Sequence, residues 1–222
     1  VTGAPTFIQA TGGTITTSGD YKIHTFTGDG CLAISTAPTP ANNNVSYVVV
    51  AGGGSGGGSS WAGGGGGAGG FREGKLSTDP YTASPAAATP CSALTVSAQT
   101  YPIEVGGGGP AADSCGVPGE PGNNGENSIF ATITSTGGGG GGWADRPLVT
   151  AQAGGSGGGG SGNHNPSCST SNAGGAGNSP PVSPSQGNNG GVYAGGPVVS
   201  TFQGAGGGGG IGAVGGTGST PA

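Results

Sequence analysis

Hydrolytic and group-transfer chemistry starts from a nucleophile with a base in reach, and the residues that could supply such a pair here are few. The two histidines, His24 and His164, stand far apart in sequence. No GxSxG in a strand-to-helix context, no paired carboxylates in apolar surroundings and no CxxC or HxxxH spacing accompanies them. His164 sits between Asn163 and Asn165 and reads as part of a solvated polar turn, and His24 reads as a strand-face residue. The glycine runs resemble phosphate loops only superficially, because none precedes a Lys-Ser/Thr pair or an amphipathic helix. The expectation is a protein that is not an enzyme and that uses no cofactor and no metal.

The charges narrow the partners. Four cations, Lys22, Arg72, Lys75 and Arg146, face nine acidic residues for a formal net charge of −5. That cannot build the basic track that phosphate backbones require, so nucleic acid is not an expected partner. The longest apolar run, about Tyr47 to Ala51, falls far short of the roughly 18 to 20 residues that span a bilayer, so no membrane insertion is expected. The sequence does not begin with Met and no signal peptide opens it, which suggests the terminal part of a longer polypeptide.

Glycine and proline dominate, with 59 and 17 residues among 222. Such a composition usually signals disorder, because glycine loses the most conformational entropy on folding. Disorder normally comes with high net charge, however, and here β-type segments sit between the glycine runs. From Thr6 to Ala51 the chain reads as short strands separated by Gly12-Gly13, Ser18-Gly19-Asp20 and Gly28-Asp29-Gly30. The last of these is expected to join Tyr21–Thr27 to Cys31–Ser35 as a tight hairpin. Val45–Val50, apolar on both faces, reads as a central strand, and Cys31 as a small buried strand residue.

From Gly52 onward glycine runs alternate with short interruptions, and within two of them glycine recurs at every third position: Gly116, Gly119, Gly122, Gly125, and Gly206, Gly209, Gly212, Gly215, Gly218. Three residues per turn is the polyproline II period. That helix makes no internal hydrogen bonds, so its backbone groups need neighbours, and glycine on one edge lets a second helix come close enough to bond laterally. The runs are too short and too often interrupted for a collagen triple helix. The predicted fold is irregular, all-β, with no α-helix: a small N-terminal β-strand region, 1–51, packed as one unit with a stacked array of glycine-rich polyproline II helices, 52–222. Gly63–Gly70 and Gly137–Gly142 are expected in the interior and Gly116–Gly125 nearer the surface. Val45–Ala51, Leu94–Val105 and Asn127–Thr136 are expected to launch runs away from the β-layer.

If successive runs alternate in direction, Ser59–Ala62, Pro110–Cys115, Trp143–Gln152 and Asn178–Ser185 fall at the far tips. Trp61 and Trp143 then share one end, either as contacts for a partner or as hydrophobic caps on the array. Trp61, Asp113, Trp143 and Arg146 are the candidate binding residues. The four cysteines, Cys31, Cys91, Cys115 and Cys168, allow three complete pairings, and disulfides fit a protein that works outside cells. Alternation puts Cys91 and Cys168 together at the sheet end, with a pairing of Cys115 to either left open.

The segment Gly12-Gly13-Thr14-Ile15-Thr16-Thr17-Ser18-Gly19-Asp20-Tyr21-Lys22-Ile23-His24-Thr25-Phe26-Thr27-Gly28, followed by Tyr47-Val48-Val49-Val50-Ala51-Gly52-Gly53-Gly54, resembles the glycine-rich domain that ends many bacteriophage tail fibre and tail adhesin proteins. Matching segments continue through Gly69–Gly74, Thr100–Gly109, Asn127–Phe130 with Gly137–Gly142, and Gln186–Gly191, so the resemblance runs from about Gly12 to about Gly216. It implies an extracellular virion protein, the tip of a tail fibre, whose loops between polyproline II helices bind a bacterial surface receptor, protein or glycan. Other fibre subunits, copies of the same chain among them, are the implied further partners. An architectural fibre or decoration subunit without receptor binding is the alternative reading, and a glycine-rich antifreeze protein the second.

Overall fold

A computed structural model of the chain describes residues 7–38, 42–58, 62–86, 92–113, 120–143, 149–162, 171–195 and 204–219. Among them there is no helix. Short strands follow the β-branched and aromatic stretches: β1 (Gln9–Thr11), β2 (Thr14–Ser18), β3 (Tyr21–Thr25), β4 (Gly30–Thr36), β5 (Asn44–Val45), β6 (Tyr47–Val50), β7 (Phe71–Gly74), β8 (Leu94–Thr95), β9 (Thr100–Glu104), β10 (Ser128–Phe130) and β11 (Ile133–Ser135). One antiparallel sheet has the order β1-β4-β9-β10-β11, and β2-β3, β5-β8 and β6-β7 form two-stranded ladders. Alternation along β4 sends Leu32 and Ile34 inward, where they meet Val49, Val96 and Phe130 in a small apolar core. Tyr47 and Tyr101 approach Phe130 edge-on from two sides.

Three strand expectations are corrected. Tyr21–Thr27 does not pair with Cys31–Ser35: β3 folds back on β2 through Gly19-Asp20, with Ser18 opposite Tyr21 and Gly19 at a φ of 56°. A two-residue hairpin with glycine first and positive φ there outcompetes the longer Gly28-Asp29-Gly30 link. Asp29 instead accepts from Val105 N at 2.9 Å, tying the start of β4 to the end of β9. Val45–Val50 is not one central strand but two pieces, because Ser46 turns aside to bond Asp79, and Val48 and Val50 stay 56% and 53% exposed. Cys31 is exposed, since the same alternation that buries Leu32 and Ile34 turns it outward.

Beyond the strands the glycine runs carry neither helix nor ladder, and their backbone bonds join one run to another. Ala51, Gly54 and Gly57 donate to Gly70, Gly67 and Gly64 at 3.0, 2.8 and 2.9 Å. One residue on, Gly52, Ser55 and Gly58 donate the other way, to Glu126, Asn123 and Glu120 at 3.0, 2.9 and 2.8 Å. Gly64, Gly67 and Gly70 donate in turn to Gly142, Gly139 and Thr136 at 2.9, 2.8 and 2.7 Å. Each neighbour is thus addressed by every third residue. Asn124 and Asn127, also three apart, extend the pattern with side chains, accepting from Gly140 N and Gly137 N at 2.8 and 3.0 Å.

Burial follows this wiring. Gly137–Gly142 is buried throughout, as expected, and so is 154–162, which its serines had not marked as interior. Gly63–Gly70 is interior on one edge only: Gly64, Gly67 and Gly70 are buried, while the intervening residues are half-buried or exposed. A second edge, Gly65 and Ala68, is less buried but also bonded, donating to Gly206 and Gly209 at 3.1 and 3.0 Å.

Glycine is required here for closeness rather than for unusual dihedrals. Among the described glycines only Gly12, Gly13, Gly19 and Gly195 take positive φ. Gly140 is buried between its bonds to Asn124 and Gln152, and a Cβ on it would overlap the carbonyl of Gly122. Gly216 has nothing within 4 Å of that position. Gly140→Ala should therefore cost about 3 kcal/mol or more in urea or thermal unfolding, against no more than about 0.5 kcal/mol for Gly216→Ala. Equal effects would contradict close approach as the reason for glycine.

Candidate functional site

Successive runs do alternate in direction, so the described residues that flank their connections gather at two ends. At the end away from the strands, Trp143 and Val149 exchange backbone bonds at 3.0 and 3.3 Å, and Asn172 pairs with Tyr193 at 3.1 and 2.9 Å. Asn172 Nδ2 also donates to Ser161 O at 2.7 Å. Trp143 and Tyr193 are 4% and 1% exposed, so both rings plug this end of the runs. Among the described residues the Trp143 Nε1–H and the Ser161 hydroxyl find no hydrogen-bond partner. Asp113 is exposed at the same end, its main chain against Gly58.

Of the candidate binding residues, then, Asp113 is at the surface and Trp143 is inside, in the position of a cap on the array. Trp61 and Arg146 lie outside the described residues, as do Cys91, Cys115, Cys168 and His164. Tyr193 went unrecognised, although its signal was the one that marked Trp143: a single aromatic interrupting a glycine run.

Asn178–Ser185 is not at the far tips. Asn178 N donates to Gly155 O at 2.8 Å, and Gln186 Oε1 accepts from Thr136 N at 2.8 Å, which pins the segment at the sheet end. An additional pass, residues 149–155, accounts for the change of end. It returns antiparallel to Gly137–Gly142, with Gln152 donating to Gly140 and Gly155 to Gly137 at 2.9 and 2.8 Å. Written as Val-Thr-Ala-Gln-Ala-Gly-Gly, it does not look like a glycine run, yet it keeps the three-residue spacing.

The sheet end carries a second polar cluster, on residues 73–84. Lys75 Nζ donates to the carbonyls of Asp79 and Tyr81 at 3.0 and 2.6 Å and lies 4.4 Å from the Tyr81 ring centroid. Two acids are buried nearby: Asp79 accepts from Leu76 N at 3.2 Å and from Ser46 Oγ, and Glu73 accepts from Ser84 N at 2.9 Å. Burial, and then the fields of Glu73 and Asp79, push the Tyr81 phenol above its usual range. Burial also raises Tyr47, against the opposing charge of Arg72. His24 Nδ1 lies 2.8 Å from Gly12 O, and among the described residues no three of His, Cys, Asp and Glu gather as metal ligands would.

Lys75 holds the loop by charge-assisted bonds and a cation–π contact, so Lys75→Met should lower stability by roughly 1 to 2 kcal/mol in chemical unfolding, and no loss would remove it as the loop's anchor. Raised phenol values mean that the folded chain keeps Tyr47 and Tyr81 protonated more tightly than the unfolded chain does. Their contribution is complete below pH 10.0 and falls as pH rises through the folded values. A melting temperature that drops above pH 10.0, less steeply in Tyr81→Phe, is the expected titration.

Compared with known proteins, the chain matches one family model, described as a glycine-rich domain, over residues 25–222. No curated protein and no solved structure matches it. The matched residues begin at the end of β3 and include every glycine run. The chain belongs to the glycine-rich domain family.

Proposed function

We propose that the chain is a virion protein of a tailed bacteriophage, the tip of a tail fibre, and that its glycine runs are polyproline II helices stacked into a scaffold that presents loops to a host receptor. The three-residue spacing of the bonds between runs supports the helix assignment, because a helix with three residues per turn returns the same edge to the same neighbour at that interval. The observation that carries the binding role is the sorting of ends. The described residues flanking 59–61, 114–119, 144–148 and 163–170 all lie at the end away from the strands: Gly58 and Ala62, Asp113 and Glu120, Trp143 and Val149, Gly162 and Asn172. Loops whose ends are held by a packed scaffold at one end of a fold are a common way of displaying adhesive segments.

In this reading Asp113, Trp61 and Arg146 contact the receptor, a bacterial surface protein or glycan. The chain works outside the cell by adhesion without chemistry, without cofactor or nucleic acid, beside other fibre subunits. Trp143 caps the array. Its burial is also what favours the second reading, an architectural fibre subunit in which the far end is closed off and contacts only neighbouring chains.

One measurement tests the scaffold and a second separates the two readings. Far-ultraviolet circular dichroism of the chain should show a polyproline II signature without helix, and a pure β spectrum would remove the scaffold reading. The chain should bind cells of one strain in a panel of candidate bacterial hosts, and exchanging 59–61 and 144–148 for Gly-Ser segments should abolish binding while leaving the melting temperature within a few degrees. Binding to no strain, or binding indifferent to the exchange, would leave the architectural role standing.

A further inference from the structure

The tetrapeptide Gly-Asn-Asn-Gly occurs twice, at 122–125 and 187–190, and both copies make the same bonds. The first asparagine gives its main-chain carbonyl to one neighbour: Asn123 accepts from Ser55 N at 2.9 Å and Asn188 from Gly157 N at 3.0 Å. Its side-chain amide donates to another, Asn123 Nδ2 to Pro110 O at 3.1 Å and Asn188 Nδ2 to Gly210 O at 2.9 Å. The second asparagine accepts through Oδ1 from a third neighbour, Asn124 from Gly140 N and Asn189 from Gly177 N, both at 2.8 Å. The glycine that follows donates to the residue two places earlier on that third neighbour, Gly125 to Gly138 O and Gly190 to Gly175 O, both at 2.9 Å. Each tetrapeptide is a clamp that fastens three neighbours.

Each clamp also contains an Asn-Gly dipeptide, and the chain has no others. Asn-Gly is chemically labile because the unhindered glycine permits the dihedrals of ring closure. The glycine nitrogen loses its proton and attacks Cγ of the asparagine. A new N–Cγ bond forms, ammonia leaves, and the resulting succinimide is opened by water at either carbonyl to give aspartate or isoaspartate. The attack needs a free glycine nitrogen and a side chain turned to present Cγ to it. In both clamps the glycine N–H is bonded to one carbonyl and the asparagine Oδ1 to one amide of the same neighbour. Neither partner can move without breaking a bond between runs.

We propose that Asn124 and Asn189 are the chain's deamidation sites, held silent by their clamps in the folded state and opened when the runs separate, and that isoaspartate at either position prevents the runs from closing again. Isoaspartate routes the main chain through Cβ. The extra backbone atom falls inside a wiring scheme fixed at three residues, and it carries Gly125 N or Gly190 N out of register with Gly138 or Gly175. Aspartate does not have this effect, since a carboxylate keeps the acceptor oxygen that Gly140 and Gly177 use.

The test is peptide mapping by mass spectrometry of the whole chain held at one mildly alkaline pH and temperature, folded in buffer and unfolded in denaturant, with isoaspartate scored by its specific methyltransferase. Conversion at Asn124 and Asn189 should be at least about tenfold slower in the folded chain, as for any site exposed only in a minor open state. Equal rates in the two conditions would overturn the protection. Chains carrying isoaspartate, removed from denaturant, should fail to regain the parent melting temperature, whereas the double variant Asn124→Asp, Asn189→Asp regains it to within a few degrees. Refolding of the isoaspartate chain to the parent value, or an equal failure of the aspartate variant, would overturn the register argument.

Discussion

Every N–H and C=O taken out of water has to find a partner, and in this chain that obligation replaces the side-chain core as the organising constraint. Among the described residues the buried apolar side chains are few; the one cluster of them belongs to the strand region, and Trp143 and Tyr193 stand apart from it at the far end. Between those two ends the described interior is mostly backbone. Residues 154–162 are buried from end to end with only serine for side chains, and Gly139, Gly142, Gly157 and Gly160 pass their hydrogen bonds from run to run across that interior at 2.8 to 3.0 Å. Where a Cβ would meet the carbonyl of a neighbouring run, as at Gly140, only glycine fits, so the composition follows from the packing of the runs. A disordered chain of the same glycine content would have no reason to place its donors at intervals of three.

The two halves, one held by side chains and one by backbone, have to be joined without a gap, and Gln186 does much of this. It is wholly buried, accepts from Thr136 N through Oε1, donates through Nε2 to Pro180 O at 3.2 Å, and offers its main-chain carbonyl to Phe71 N at 2.9 Å. Phe71 opens β7 just after the run that ends at Gly70, and Thr136 follows β11 just before the run that begins at Gly137. One amide thereby fastens the exit of one run and the start of another to the loop between two more. A glutamate could accept at Oε1 but not donate to Pro180, and leucine could do neither, so the position demands an amide.

Much of this was legible in the sequence, and the illegible parts have physical causes. The strand-rich character of 7–51, the lack of helix among the described residues, the three-residue interval and the interior place of Gly137–Gly142 follow from local patterns that the fold obeys, whereas β7 carries no such signal and Leu94–Val105 and Asn127–Thr136 each divide into two strands. Pairing partners were harder. Gly28-Asp29-Gly30 has the composition of a hairpin turn, but Asp29 spends its carboxylate on Val105, far along the chain, and no local rule weighs that bond. Val45–Val50 divides because Ser46, neutral in a strand pattern, bonds Asp79, a partner that no local rule supplies. The far end was miscounted by one pass because 149–155 uses Val, Thr, Ala and Gln at positions where the array does not need glycine. The family match shares the reach of the sequence reading, covering the runs but saying nothing about what the interrupting residues meet.

The interval of three also determines where such a fold can vary. Within a run, deletion or insertion of one residue turns every later donor toward a different neighbour, so that Gly141, for example, would face the partner of Gly142. A change of three residues keeps each edge facing its own neighbour and only lengthens the run. Between runs there is no such rule, because a connection has to join two ends but not to keep a phase. Substitution is constrained in the same graded way. A residue on a bonded edge meets a carbonyl, whereas one on an outward edge, as at Gly216, meets solvent. A lattice of this kind is therefore stiff in its interior and permissive at its ends, and any recognition it supports has to be carried by the interruptions, with the glycines fixing only where those interruptions stand.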